Sequence, residues 1–115
     1  MKNNIFLRLI FLFTVLTLLG CDEPGMGPKA EKGYRACNPI VEALARFYAD
    51  KKAYPVSLDA LVPAYLPSFE TKVNDYPIRY EQSTKSFKLR FSYEGPGMNN
   101  CDFTPEIHWH CEGHF

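Results

Sequence analysis

The sequence has no surplus of charge. Its 13 Lys and Arg match its 13 Asp and Glu, so the formal net charge is zero. That balance argues against the concentrated positive charge that binding to nucleic acid, or an electrostatic grip on anionic lipid, requires. The chain is equally short of reactive groupings. No Ser nucleophile motif, paired carboxylates, Gly-rich phosphate loop or Cys-His arrangement stands out, and the chain is read as non-enzymatic and without a bound cofactor. Gly95-Pro96-Gly97 reads as a turn, because a phosphate cradle needs a helix behind it and none is expected there. Internal repeats are absent, and after Gly20 there is no further long apolar run.

What the chain does have is an abrupt contrast at its start. Lys2 precedes an almost wholly apolar stretch, Ile5-Phe6-Leu7 broken by Arg8 and then Leu9 to Leu19. This gradient reads as an export signal. It is too short to span a bilayer comfortably, since a spanning helix needs about 20 apolar residues. The stretch ends in Leu18-Leu19-Gly20-Cys21, which resembles the bacterial lipobox: a Leu three residues before the cleavage site, a small residue just before it, and a Cys whose thiol forms a thioether to diacylglycerol. The resemblance implies a signal peptide over residues 1–20 and a lipidated, membrane-anchored chain beginning at Cys21. Without Lys2 and Arg8, 11 basic residues face 13 acidic ones, a formal charge of −2. The lipid would then be the membrane contact, and two or three acyl chains anchor stably where one does not. Asp22, followed by acidic Glu23, resembles the sorting signal of lipoproteins kept in the inner membrane of enteric-type envelopes, on its periplasmic face.

The remaining 95 residues from Cys21 to Phe115 make one domain, small enough for a covalent staple to matter. An exported chain permits disulfides. With Cys21 lipidated, Cys37, Cys101 and Cys111 allow one bridge in three pairings, and composition does not choose among them. Residues 21–33 are rich in Pro, Gly and alternating charge and read as a flexible tether, with a partly helical segment as the alternative. The globular domain is expected over residues 34–115.

Within that domain Asn38 is a candidate cap, Pro39 suits a first helical turn, and Ile40, Val41, Leu44, Phe47 and Tyr48 recur at helical spacing. Tyr34 and Cys37 carry the same stripe backwards, which favours a longer helix kinked near Pro39. Pro55 stops the helix from resuming, and Ser57 caps a short helical turn ending at Leu61 or Val62. The pattern then changes to period two. Residues 77–81 and 87–93 form an expected hairpin that buries Ile78, Tyr80, Phe87, Leu89, Phe91 and Tyr93, with Arg79, Glu81, Lys88 and Arg90 toward solvent. After a loop from Glu94 to Asn100, a third strand is expected to carry Ile107, Trp109 and Cys111 on one face and His108 and His110 on the other. The fold class is therefore α+β, one N-terminal helix packed on a three-stranded antiparallel meander.

Ala43-Leu44, Phe47, Tyr54-Pro55 and the Leu58-Asp59-Ala60-Leu61 turn, following one another in that order, resemble the globular domain of type IV pilin-like proteins, especially the major pseudopilin of type II secretion. The likeness spans about residues 40–66 and, more loosely, the hairpin. It implies a binding or assembly domain accessory to a secretion or pilus complex, with an unidentified envelope protein as partner. The chain departs from the family in lacking the processing site, the retained hydrophobic helix and the Glu at its fifth position, so a polymerising filament subunit is not expected. Pilin-like domains often staple their C-terminal region. Cys101 and Cys111 flank the turn into the last strand and are the expected pair, with Cys37 free in the core. Cys37 paired with either one is the rival.

Two alternatives come from the residues themselves. His108, His110, Glu112 and His114 share one face of a strand, so His108, His110 and His114 are candidate zinc or copper ligands of a metal-binding envelope protein. A solvated polar face predicts the same pattern, and the chain would then be a structural lipoprotein with no dedicated ligand.

Overall fold

Gly27 sets the start of the helix. It adopts φ 95° and ψ 177°, a left-handed-side conformation that suits glycine, and Pro28 follows at the first helical position, where its missing N–H costs nothing. The computed structural model describes residues 23–83 and 85–114. In it helix α1 runs from Pro28 to Lys51, with Glu31 in its first turn and Lys51 in its last, charges that favour those ends of the helix dipole. Lys52 closes the helix in a left-handed conformation, its N–H donating to the Tyr48 carbonyl at 2.8 Å.

The helix thus takes in Pro28–Gly33, a stretch expected to belong to the tether. The signals that read as flexibility serve other ends: Pro28 begins a helix, and Gly33 allows the helix to approach a strand closely. Asn38 and Pro39 lie inside α1 and do not start it. Both are exposed, so the carbonyl left without a donor by Pro39 is on the water side. Ala30, Gly33, Cys37, Ile40, Ala43 and Leu44 form the buried stripe, at the spacing that keeps one helical face inward.

After α1, a 3-10 turn at Leu58–Leu61 follows Ser57, whose side chain makes no capping hydrogen bond. Strands β1 (Lys72–Val73) and β2 (Tyr76–Pro77) form a small hairpin. Asn74 and Asp75 turn it with φ 52° and 69°, the two positive values a tight two-residue hairpin needs.

The main sheet has four antiparallel strands in sequential order: β3 (Arg79–Ser83), β4 (Ser86–Glu94), β5 (Met98–Thr104) and β6 (His108–His114). The α+β class holds, but the expected three-stranded meander becomes a four-stranded one, because residues 98–104 form a strand of their own. Met98-Asn99-Asn100 lacks both β-branched residues and apolar alternation. Its strand state comes from pairing on both sides, with Phe91 opposite Cys101 and Cys101 opposite Cys111. The loop shrinks to Gly95-Pro96-Gly97, with φ 131° and 72° at the two glycines.

Strand β4 supplies the sheet's core as expected. Phe87, Leu89, Phe91 and Tyr93 are buried, while Ile78 and Tyr80 are only half-buried. Trp109 and Cys111 point inward on β6, but Ile107 stands in the turn before it and is 71% exposed. The chain reversal needed three residues there, which removed Ile107 from the strand.

The residues of the Ala43-to-Leu61 pattern act as packing devices. Ala43, Leu44, Pro55 and Leu61 are buried, and Phe47, Tyr54 and Leu58 are half-buried against the core. Tyr54 stacks on Tyr48 at 4.5 Å and meets the Phe87 ring edge-on at 4.8 Å. The Pro55 carbonyl accepts the Tyr80 hydroxyl at 2.6 Å. Together these contacts hold the C-terminal end of α1 against the start of β4.

Candidate functional site

The N-terminal turn and the C-terminal strand meet at one end of the domain. The Gly25 N–H donates to Tyr93 Oη at 2.8 Å, and Tyr34 Oη donates to the Gly25 carbonyl at 2.9 Å. The turn also closes on itself, with the Met26 N–H donating to the Glu23 carbonyl at 3.0 Å. Tyr34 Oη lies 3.4 Å from Cys111 Sγ. Burial, and then the neighbouring Tyr93, push the Tyr34 hydroxyl above its ordinary pKa. Lys29 on the first turn of α1 donates to the Glu94 carbonyl at 2.8 Å, tying the helix start to the end of β4. Glu94 also accepts the hydroxyl of Tyr76.

Cys101 and Cys111 are bonded, Sγ to Sγ, at directly facing positions of β5 and β6. Cys37 is the free thiol among the described residues and is fully buried. Burial pushes it up to about 12, so it is not an available nucleophile near neutral pH. Beside the disulfide, Tyr34, Phe91 and Trp109 pack edge to face at 5.2 and 5.3 Å. Trp109 Nε1 donates to Asn38 Oδ1 at 2.9 Å, which gives the mid-helix Asn38 its use.

The outward face of the sheet is polar and paired. Arg90 Nε and Nη2 donate to Asp102 Oδ1 and Oδ2 at 2.6 and 2.9 Å, a bidentate geometry. Ser92 Oγ donates to Asn100 Oδ1 at 2.6 Å.

The expected His row does not hold together: His110 and His114 fall on this face, but His108 takes φ 69° and its ring turns to the core-side Phe103. His108, His110 and His114 are exposed along β6, and with about 3.3 Å of rise per residue the first and last are roughly 20 Å apart. His110 pairs with Glu112 at 3.1 Å, while the His108 ring stacks on Phe103 at 5.3 Å. Among the described residues no three His, Cys, Asp or Glu side chains assemble as metal ligands. A row along an extended strand spreads its members, where a tetrahedral ion needs them gathered.

Cys21, the expected lipidation site, and residues 1–20, the expected signal peptide, lie outside the described residues. Among the described residues, no helix is long and apolar enough to cross a membrane. No family model, curated protein or solved structure matches the chain.

Sequence reasoning missed the clamp on the N-terminal turn and the Arg90–Asp102 pair. The first had a signal, since Gly25-Met26-Gly27-Pro28 is a turn followed by a helix start. The second had none, because its register depends on β5, whose composition does not announce a strand.

Proposed function

We propose that the chain is a cell-envelope lipoprotein, anchored by lipid on Cys21, whose helix-and-sheet domain is a non-enzymatic, pilin-like binding or assembly module accessory to a secretion or pilus complex. The observation that carries this reading is that α1 starts at Pro28, out of the Glu23–Gly27 turn. In pilin-like proteins the hydrophobic helix runs on into the domain. Here Gly25 and Gly27 take positive φ, Pro28 starts α1 afresh, and the turn is bonded back to Tyr34 and Tyr93. A domain whose helix begins independently of the apolar segment does not need that segment for its own fold, as expected of one whose signal is cut off and replaced by lipid. The Cys101–Cys111 bridge suits an oxidising envelope. A single helix laid along an antiparallel meander agrees with the pilin-like reading at the level of architecture, and fold supports a partner class less strongly than a site does.

The test begins with mass spectrometry of the mature N-terminus after membrane fractionation, comparing wild type with Cys21→Ala. The expected product is a membrane-bound chain starting at a diacylglyceryl Cys21, recovered from the inner membrane of an enteric-type host as Asp22-Glu23 implies. A soluble or unlipidated product in the wild type overturns the lipoprotein reading. Crosslinking in intact membranes then addresses assembly. A stoichiometric envelope partner, lost with Cys21→Ala, is expected; its absence under conditions that recover known complexes overturns the assembly role.

A further inference from the structure

We propose that the end of the domain formed by the Glu23–Pro28 turn and the Gly95-Pro96-Gly97 loop rests on the bilayer that holds the anchor, with Met26 entering the interface and α1 rising away from it. The proposal rests on lipidation of Cys21.

Three observations carry it. The first is reach. Only Asp22 separates Cys21 from Glu23, and at about 3.5 Å per residue the two Cα atoms are at most roughly 7 Å apart. Residues 21–33 therefore do not provide the long leash their composition implied.

The second is that the turn cannot swing away from the domain. It is held by the Gly25 bonds to Tyr93 and Tyr34 and by the Met26 bond to Glu23. Gly25 sits so closely on the disulfide that an added Cβ would be 2.7 Å from Cys111 Sγ. Whatever position the lipid takes, this end of the domain follows it.

The third is the surface itself. Met26 is 60% exposed at a shallow cavity of about 490 Å³, shared with Pro28, Tyr93 and Pro96. Met26 is an exposed apolar side chain outside the core cluster, and the bilayer is the apolar phase brought within reach. Charge does not drive the contact, since Glu23 and Glu94 line the same cavity with Lys29. The acyl anchor supplies the attachment, and the short link supplies the high local concentration that makes a weak apolar contact count.

The orientation follows from chain direction. Helix α1 has 24 residues, about 36 Å at 1.5 Å per residue, and its far end lies by Phe87 and Tyr54. Val56, 84% exposed, and Ile107, in the turn joined to β4 through Ser86 and Glu106, therefore lie at the end away from the membrane.

Full-length lipidated protein in phosphatidylcholine/phosphatidylglycerol vesicles tests this. Met26→Trp and Val56→Trp are each made with native Trp109 as common background, and vesicles are prepared with and without chain-brominated lipid. Both positions are exposed, and thermal melting checks that each variant folds. Bromine is expected to quench the added fluorescence of Met26→Trp by about twofold, and that of Val56→Trp no more than wild type. With lipid verified on Cys21 by mass, equal quenching at the two positions, or none beyond wild type at position 26, overturns the orientation alone. A chain without lipid on Cys21 overturns the orientation together with the reading beneath it.

Discussion

Gly33→Ala is expected to destabilise the domain although it improves the helix. Gly33 lies within α1 on its buried stripe, so alanine should add about 1 kcal/mol through helix propensity. Opposing this, an added Cβ would penetrate the Phe91 ring, 2.5 Å from Cζ and closer still to Cε2 and Cδ2. Phe91 is fully buried on the central strand β4, and its ring is hemmed in by Tyr34 and Trp109, each at 5.3 Å. It cannot turn aside without disturbing both, so α1 would have to lift from the sheet. Overpacking of this kind typically costs 1–3 kcal/mol, and contact with three ring atoms points to the upper end, about 3 kcal/mol. Subtracting the helix gain leaves a net loss of about 2 kcal/mol. In a domain of this size that lowers Tm by roughly 10 °C. Thermal unfolding followed at 222 nm, with the disulfide oxidised, measures it. Adding Phe91→Leu should make the Gly33→Ala penalty smaller than in the wild-type background, since the two sites share one contact. A Gly33→Ala melt at or above the wild-type temperature would refute the reasoning, because helix propensity would then outweigh the packing.

Two further outcomes follow from the cysteines. The Cys101–Cys111 bridge closes a separation of 10 residues, and its replacement by Cys101→Ser/Cys111→Ser should cost up to roughly 3 kcal/mol in urea unfolding by the chain-entropy estimate; a loss below about 0.5 kcal/mol would mean the hairpin is already fixed without it. Burial raises the Cys37 thiol from 9.0 to about 12, so the folded chain keeps a proton that the unfolded chain releases between those values. The stability due to the neutral thiol is therefore complete below pH 9 and declines as pH rises through that window. Unfolding measured from pH 8 to 11 should show a shallower alkaline decline for Cys37→Ala than for wild type, with the half-buried tyrosines, Tyr80 among them, accounting for the remainder. Identical slopes would exclude the thiol as a source.

Much of the fold was legible where one physical signal dominated. The stripe from Ile40 to Tyr48 and the alternation from Phe87 to Tyr93 each repeat at the period of the element they form, and each became that element. The Cys101–Cys111 pairing was also anticipated, from the short separation across the turn into the last strand and from the pilin-like resemblance. Strand β5 was not legible, because Asn99, Asn100 and Asp102 are there by virtue of partners on both sides. The length of α1 was misjudged for a related reason: Gly and Pro mark breaks and close contacts alike, and only Phe91 lying opposite Gly33 tells which.

For the candidate sites the division is sharper. The sequence by itself determined the apolar opening segment, the Leu18-Leu19-Gly20-Cys21 match, the near-neutral charge and the alternation that puts His110 and His114 on one face, because these depend on residue order alone. Tertiary structure decided that the His row is spread along an edge strand, that Cys37 is sealed in the core, and that Gly25 is clamped between Tyr34, Tyr93 and Cys111. Each of these depends on distances between residues far apart in the chain, and such distances are fixed only when the helix and sheet pack.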